Sequence, residues 1–130
     1  MAFKWEKFFD VGLCMKKISK KEEYQRSAVG RYYYAAFGMV KEYYEKKYNK
    51  TVPSRDAHSF LINELENSCG DEKILGKKLR TMRKYRNFAD YNNIFYFFNV
   101  DRTEKIYDEI VKLLENLNKK EWILKKIISY

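Results

Sequence analysis

The sequence predicts a single all-α domain, an up-and-down antiparallel bundle of four to five main helices. Three observations carry that reading. One Pro and five Gly are all that interrupt 130 residues, so long helices meet few breakers. Apolar residues recur at three- and four-residue steps, as in Ile106, Ile110, Leu113, Leu114 and Leu117 and again in Tyr33, Phe37, Val40, Tyr44 and Tyr48. Each stripe leaves Lys and Glu on the opposite face, and packing such faces together makes a bundle. The one run with strand-like composition, Ile94 to Phe98, has no second strand to pair with.

Six segments follow in order. The first covers residues 3–18. The second, 21–49, is the longest, and Ser19 with Glu22 has the spacing of a capping box at its start. Its small residues Ser27, Ala28, Gly30, Ala35 and Ala36 lie among large rings and admit a close neighbour, which places this helix at the centre. Arg31 then falls near the core, where a guanidinium needs a partner such as Asp90 or Asp56. The aromatic stripe reads as core or dimer interface rather than a base-stacking surface. The third segment, 54–68, starts at Ser54 after Pro53 and carries the only histidine, His58. The fourth, 71–91, restarts at Asp71 after Gly70. Tyr91 to Val100 reads as a loop or an apolar helix extension, its rings as an oligomer contact. The fifth, 101–118, opens on Asp101 and Glu104 in a second capping-box pattern, and a short sixth, 119–129, follows Asn118. No linker or repeat divides residues 1–130, so they read as one domain.

Composition narrows the partners. Aromatics make up 18% of the chain, and rings of that size build a real core in a small domain. The net charge of +9 favours nucleic acid, an acidic protein or an anionic membrane surface, or reflects no more than a lysine-rich exterior. Cys14 and Cys69 form no CxxC pair and read as buried, reduced thiols. With no apolar signal segment at the N-terminus and no run of membrane-spanning length, the chain reads as a soluble cytoplasmic protein. A Gly-rich phosphate loop, a nucleophile elbow and zinc spacing are all missing, so no cofactor and no metal are expected.

The chemistry concentrates between Leu79 and Tyr91. On a helix, Arg83, Arg86, Asn87 and Asp90 share one face. Guanidinium groups suit phosphate because their planar fork donates two parallel hydrogen bonds. The adjacent carboxylate orients an arginine or accepts a proton, although an Arg–Asp pair one turn apart is also what an ordinary surface ion pair looks like. A lone His58 without other ligands is no metal site and reads first as a structural or helix-start residue.

Taken together, Arg26 to Phe37 (R-S-A-V-G-R-Y-Y-Y-A-A-F), the His58 helix and Arg86 to Tyr91 (R-N-F-A-D-Y) resemble the HEPN superfamily, the higher eukaryotes and prokaryotes nucleotide-binding domain. The likeness spans roughly residues 20–118 and is closest to small prokaryotic members. It implies a helical bundle, commonly a homodimer with an RNA-binding cleft. It also implies a metal-independent endoribonuclease acting as a toxin or defence effector, alone or beside a nucleotidyltransferase antitoxin. The alternative is a non-catalytic module binding RNA, a nucleotide or such a partner. By the same resemblance Arg86 matches the motif arginine that holds the scissile phosphate, and Asn87 its polar neighbour. The window for the motif histidine contains Tyr91, Asn92 and Asn93. The catalytic set is then Arg86, Asn87, Asp90 and Tyr91, with Arg80, Arg83 and Arg31 binding substrate and His58 assisting.

Overall fold

The computed structural model describes residues 3–129. They form five helices: α1 (Glu6–Ile18), α2 (Glu22–Tyr48), α3 (Ala57–Glu66), α4 (Gly70–Tyr91) and α5 (Phe98–Ile128). Side-chain contacts fix their directions. Trp5 meets Gly38 and Gly12 meets Tyr32, so α1 runs antiparallel to α2. Arg26 reaches Ala89 while Tyr43 reaches Glu72, so α4 is antiparallel to α2 as well. Lys78 pairs with Glu109 and Asp71 with Lys120, which makes α5 antiparallel to α4. The four long helices therefore run up and down, as the apolar stripes require.

At the centre lies α2. Ala28, Val29, Tyr32, Tyr33, Ala35, Ala36 and Val40 have no exposed surface. The close approaches come from glycines other than Gly30, which faces open space. A Cβ on Gly38 would stand 2.0 Å from the Trp5 ring, and one on Gly12 would stand 2.6 Å from Tyr32. Gly38→Ala is therefore expected to destabilise the fold by about 1–3 kcal/mol, the usual cost of overpacking. Gly30→Ala, which meets no neighbour, is expected to stabilise it by up to ~1 kcal/mol through helix propensity. Thermal unfolding of the two variants should show shifts of opposite sign.

The third helix departs from simple alternation. Tyr33 and Phe37 meet His58 near its start, and Tyr44 meets Glu64 near its end, so α3 runs parallel to α2. Residues 49–56 carry the chain back along α2. From Tyr48 to the level of Phe37 is about 17 Å of helix at ~1.5 Å per residue, and eight extended residues span up to ~27 Å. Asn49 (φ 51°) and Asp56 (φ 57°) turn the two ends of the return in the left-handed region, which both types tolerate better than most. Val52, buried within it, donates its N–H to Glu45 Oε2 at 2.8 Å.

Several local expectations fail for identifiable reasons. The fifth and sixth segments are one helix, because Asn118 is only mildly unfavourable inside a helix and neither Gly nor Pro stands nearby. Since α5 begins at Phe98, Asp101 lies in its first turn and does not cap it. Lys21, not Ser19, precedes α2; Ser19 Oγ accepts the Lys21 N–H at 3.1 Å instead. Ser54 lies within the return loop, and α3 starts at Ala57. The α4 helix starts at Gly70, with Asp71 in its first turn. Tyr48, at the end of its stripe, is 39% exposed. Cys14 and Cys69 are exposed free thiols, not buried ones: Cys14 lies on the outer side of α1 and Cys69 in the connection before α4. Arg31 is exposed and lies 5.4 Å over the Phe8 ring of α1; it needs no carboxylate because it is not in the core. No helix among the described residues is long and apolar enough to cross a membrane.

Candidate functional site

The C-terminal half of α4 packs between α2 and the start of α3, and four side chains converge there. Tyr33 and Tyr34 come from α2, His58 from α3 and Arg86 from α4. The guanidinium of Arg86 lies over both tyrosine rings, 5.1 Å from the Tyr34 centroid and 5.8 Å from that of Tyr33. Its Nη2 donates to the Tyr34 hydroxyl and its Nη1 to Asn87 Oδ1 at 2.7 Å. Its Nε stands 3.2 Å from Asp90 Oδ2, close enough for an ion pair but not aligned for a hydrogen bond, so this buried N–H has no true acceptor. The Arg86 side chain is 16% exposed and that of Asp90 39%. The face expected from helical spacing therefore exists, but Arg86 leans inward from it.

One turn earlier, Arg83 reaches towards α3 and donates from Nη1 to Ser59 Oγ at 3.1 Å. Its Nε is buried without an acceptor, and Arg83 forms no ion pair among the described residues. Arg80 is placed differently. Its Nε and Nη2 grip both carboxylate oxygens of Glu66 at 2.7–3.0 Å, and Nη2 also reaches Asn63. That charge is neutralised in place, whereas the charge of Arg83 is not.

His58 sits beside this cation pair. Its ring stacks on Phe37 with centroids 4.1 Å apart and on Tyr33 at 5.5 Å. Nδ1 is 2.6 Å from the Tyr33 hydroxyl, while Nε2 has no hydrogen-bond partner among the described residues. Burial and the positive charges of Arg83 and Arg86 push its pKa down from 6.5 to about 4. The imidazole is therefore neutral at pH 7, with two guanidinium groups flanking it. Burial likewise raises the Tyr33 hydroxyl above its ordinary value, the two arginines opposing but not cancelling the effect.

The structure thus brings together Arg83, Arg86, Asn87, Asp90 and His58. Arg31 and Arg80 stand apart from the cluster, and Tyr91, 79% exposed, makes none of these contacts. Three participants escaped the sequence reading: Tyr33, Tyr34 and Ser59. The one available signal was the run of three tyrosines in a helix otherwise lined with small residues. Arg26 also went unassigned. It is half-buried and donates to the carbonyls of Ala89 and Asn92 at 2.7 Å, and of Asn93 at 3.2 Å, satisfying the open end of α4 where a cation is favoured.

The described residues contain no group of three or more His, Cys, Asp or Glu suited to a metal ion. What the site offers is an excess of fixed positive charge beside a neutral imidazole. Such a combination holds an oxyanion and accepts a proton beside it. The family model for the HEPN domain matches residues 13–123, a span that includes every residue of this cluster. No curated protein and no solved structure matches the chain.

Proposed function

Because the chain belongs to the HEPN domain family, we propose that it acts on RNA as a metal-independent endoribonuclease, with Arg83 and Arg86 seating the scissile phosphate and His58 serving as base. The observation that carries this reading is the placement of His58, its Nδ1 engaged by the Tyr33 hydroxyl, beside Arg83, whose guanidinium pairs with no carboxylate among the described residues. With Nδ1–H donating to the Tyr33 oxygen, Nε2 presents its lone pair to a 2′-hydroxyl. The proton passes to Nε2, the 2′-oxygen attacks phosphorus and the P–O5′ bond breaks. The leaving oxygen takes its proton from water. An incoming phosphate offsets the arginine charge that depresses the imidazole pKa, so substrate binding makes His58 more basic when a base is needed. Asp90 orients Arg86, and Asn87 holds its second edge. A toxin or defence effector, working as a homodimer and restrained by a nucleotidyltransferase antitoxin or another defence partner, is the setting that fits such an activity.

The test is incubation of labelled total RNA with the protein in EDTA, beside an Arg86→Ala variant. Cleavage that persists in EDTA, leaves 2′,3′-cyclic phosphate ends and disappears in the variant is the expected result. A second reading has one observation in its favour: Arg86 is already engaged by Tyr34, Asn87 and Asp90. RNA binding without cleavage, lost in the variant, would make this a non-catalytic binding module.

A further inference from the structure

Loop 92–97 carries apolar surface that the bundle does not use. Phe95 is buried, yet Tyr96, Phe97 and Phe98 are about half exposed, at 48%, 50% and 50%. Three of the rings are ordered in series. Phe88 of α4 stacks on Tyr96 with centroids 5.8 Å apart and planes 19° from parallel. Tyr96 stacks on Phe98 at 5.5 Å and 24°, and the Arg102 guanidinium closes the row 4.4 Å over Phe98. The loop is pinned before any ligand arrives: Arg26 binds its carbonyls and Asn92 Oδ1 accepts the Ile94 N–H at 3.0 Å. A brace serving only the fold would bury its rings; this one leaves half of two of them to solvent.

The same flank of α4 is basic. Lys73, Lys77 and Lys84 are exposed, and at ~100° per residue they fall with Phe88 inside a sector of about 60°. The carboxylate near that ridge, Glu66, is already held by Arg80. From this juxtaposition we infer that the Phe88–Tyr96–Phe98–Arg102 row is a stacking platform for the unpaired bases of single-stranded RNA, with the lysine ridge tracking the backbone. The inference rests on the RNA reading above and specifies its substrate as single-stranded.

Charge selects this occupant over a second copy of the chain. Two ridges of lysines from chains carrying +9 each would face one another across such a dimer, whereas a polyanion complements them. Aromatic faces exposed in series suit bases of any sequence, because every base has a π-face. Phe88 lies two residues beyond Arg86 and roughly 200° around the helix. A strand leaving the phosphate site passes Asn87 and the exposed Tyr91 and reaches Phe88 after crossing a helix of about 10–12 Å diameter. The platform therefore takes bases two or three nucleotides from the scissile bond.

The test measures binding of fluorescein-labelled 2′-O-methyl oligoadenylate, a 12-mer that lacks the nucleophile, and of an abasic 12-mer with the same phosphates. Wild type is expected to bind the base-bearing strand at least about ten-fold more tightly, from stacking of one or two bases. Tyr96→Ala with Phe98→Ala should bind both strands equally and weakly, and Phe98→Trp should retain the preference. Wild type that binds both strands alike overturns the platform without any variant being needed. A double variant that keeps the preference overturns it too, as does one whose only change is in self-association measured by sedimentation; that last result would assign the rings to a dimer. Arg86→Ala separates the two readings. Binding that needs Arg86 but not the rings removes the platform alone, and no binding of either strand by wild type removes both.

Discussion

Glu72→Ala is expected to lower the unfolding free energy by about 3 kcal/mol, the order seen when one partner of a buried charged network is removed. In a domain of this size that shift moves the thermal midpoint by about 10 °C. The carboxylate is 3% exposed and accepts hydrogen bonds from Tyr43 at 2.6 Å, Tyr48 at 2.5 Å, Ser68 at 2.7 Å and Lys47 at 2.8 Å. It ties the C-terminal end of α2 to the start of α4. Burial alone would raise its pKa, but the hydrogen bonds from Lys47, Ser68, Tyr43 and Tyr48 prevail and hold it at about 2. The folded pKa is below the unfolded one, so the unfolded chain binds more protons between them. The stabilisation of about 3 kcal/mol is then complete above pH 4.5 and is lost as pH falls from 4.5 towards 2. Denaturant titrations of wild type and variant should differ at neutral pH and converge in acid. Persistence of the full difference at pH 2 would contradict this account.

His58→Asn is expected to reduce RNA cleavage by about 10²–10⁴-fold while leaving binding nearly intact, the usual loss for a general base. Asparagine keeps a polar group near the Tyr33 hydroxyl but supplies no base. For the wild-type enzyme, kcat/KM should hold its value well below pH 6.5 and fall only near pH 4, where the free-enzyme imidazole charges. Stability should show the same group independently. The folded pKa of about 4 is below the unfolded 6.5, so His58 makes its full contribution above pH 6.5 and loses it as pH drops towards 4. The variant should be flatter across that window. Full activity in the variant would remove His58 from the reaction and leave the arginine face as a binding surface, whereas a kcat/KM profile with its acid limb at 6.5 would contradict the depressed pKa of His58.

Much of this molecule is legible from one chain, and its limits are physical. Helix existence and the centrality of α2 follow from local patterns: breakers that are scarce, stripes at 3.6-residue spacing and small residues among rings. Helix ends followed less well. Ser19, Ser54 and Asp101 each have capping chemistry, yet none of them caps its helix. Arg31 and Arg26 show the same limit. Both were arginines in a central helix, and only the neighbours decide that Arg31 lies over Phe8 at the surface while Arg26 closes the end of α4.

The all-helical bundle, the positive charge and the shared face of Arg83, Arg86, Asn87 and Asp90 follow from the chain's local pattern, because helical geometry links residues three and four apart without reference to anything else. Packing between helices is what brings His58 to that face, lines it with Tyr33 and Tyr34 and neutralises Arg80 away from it. Those facts depend on the return loop 49–56, which turns α3 parallel to α2 and sets a residue 28 positions before Arg86 beside its guanidinium. Contacts at that separation are set by packing of several faces at once, and no local pattern encodes them.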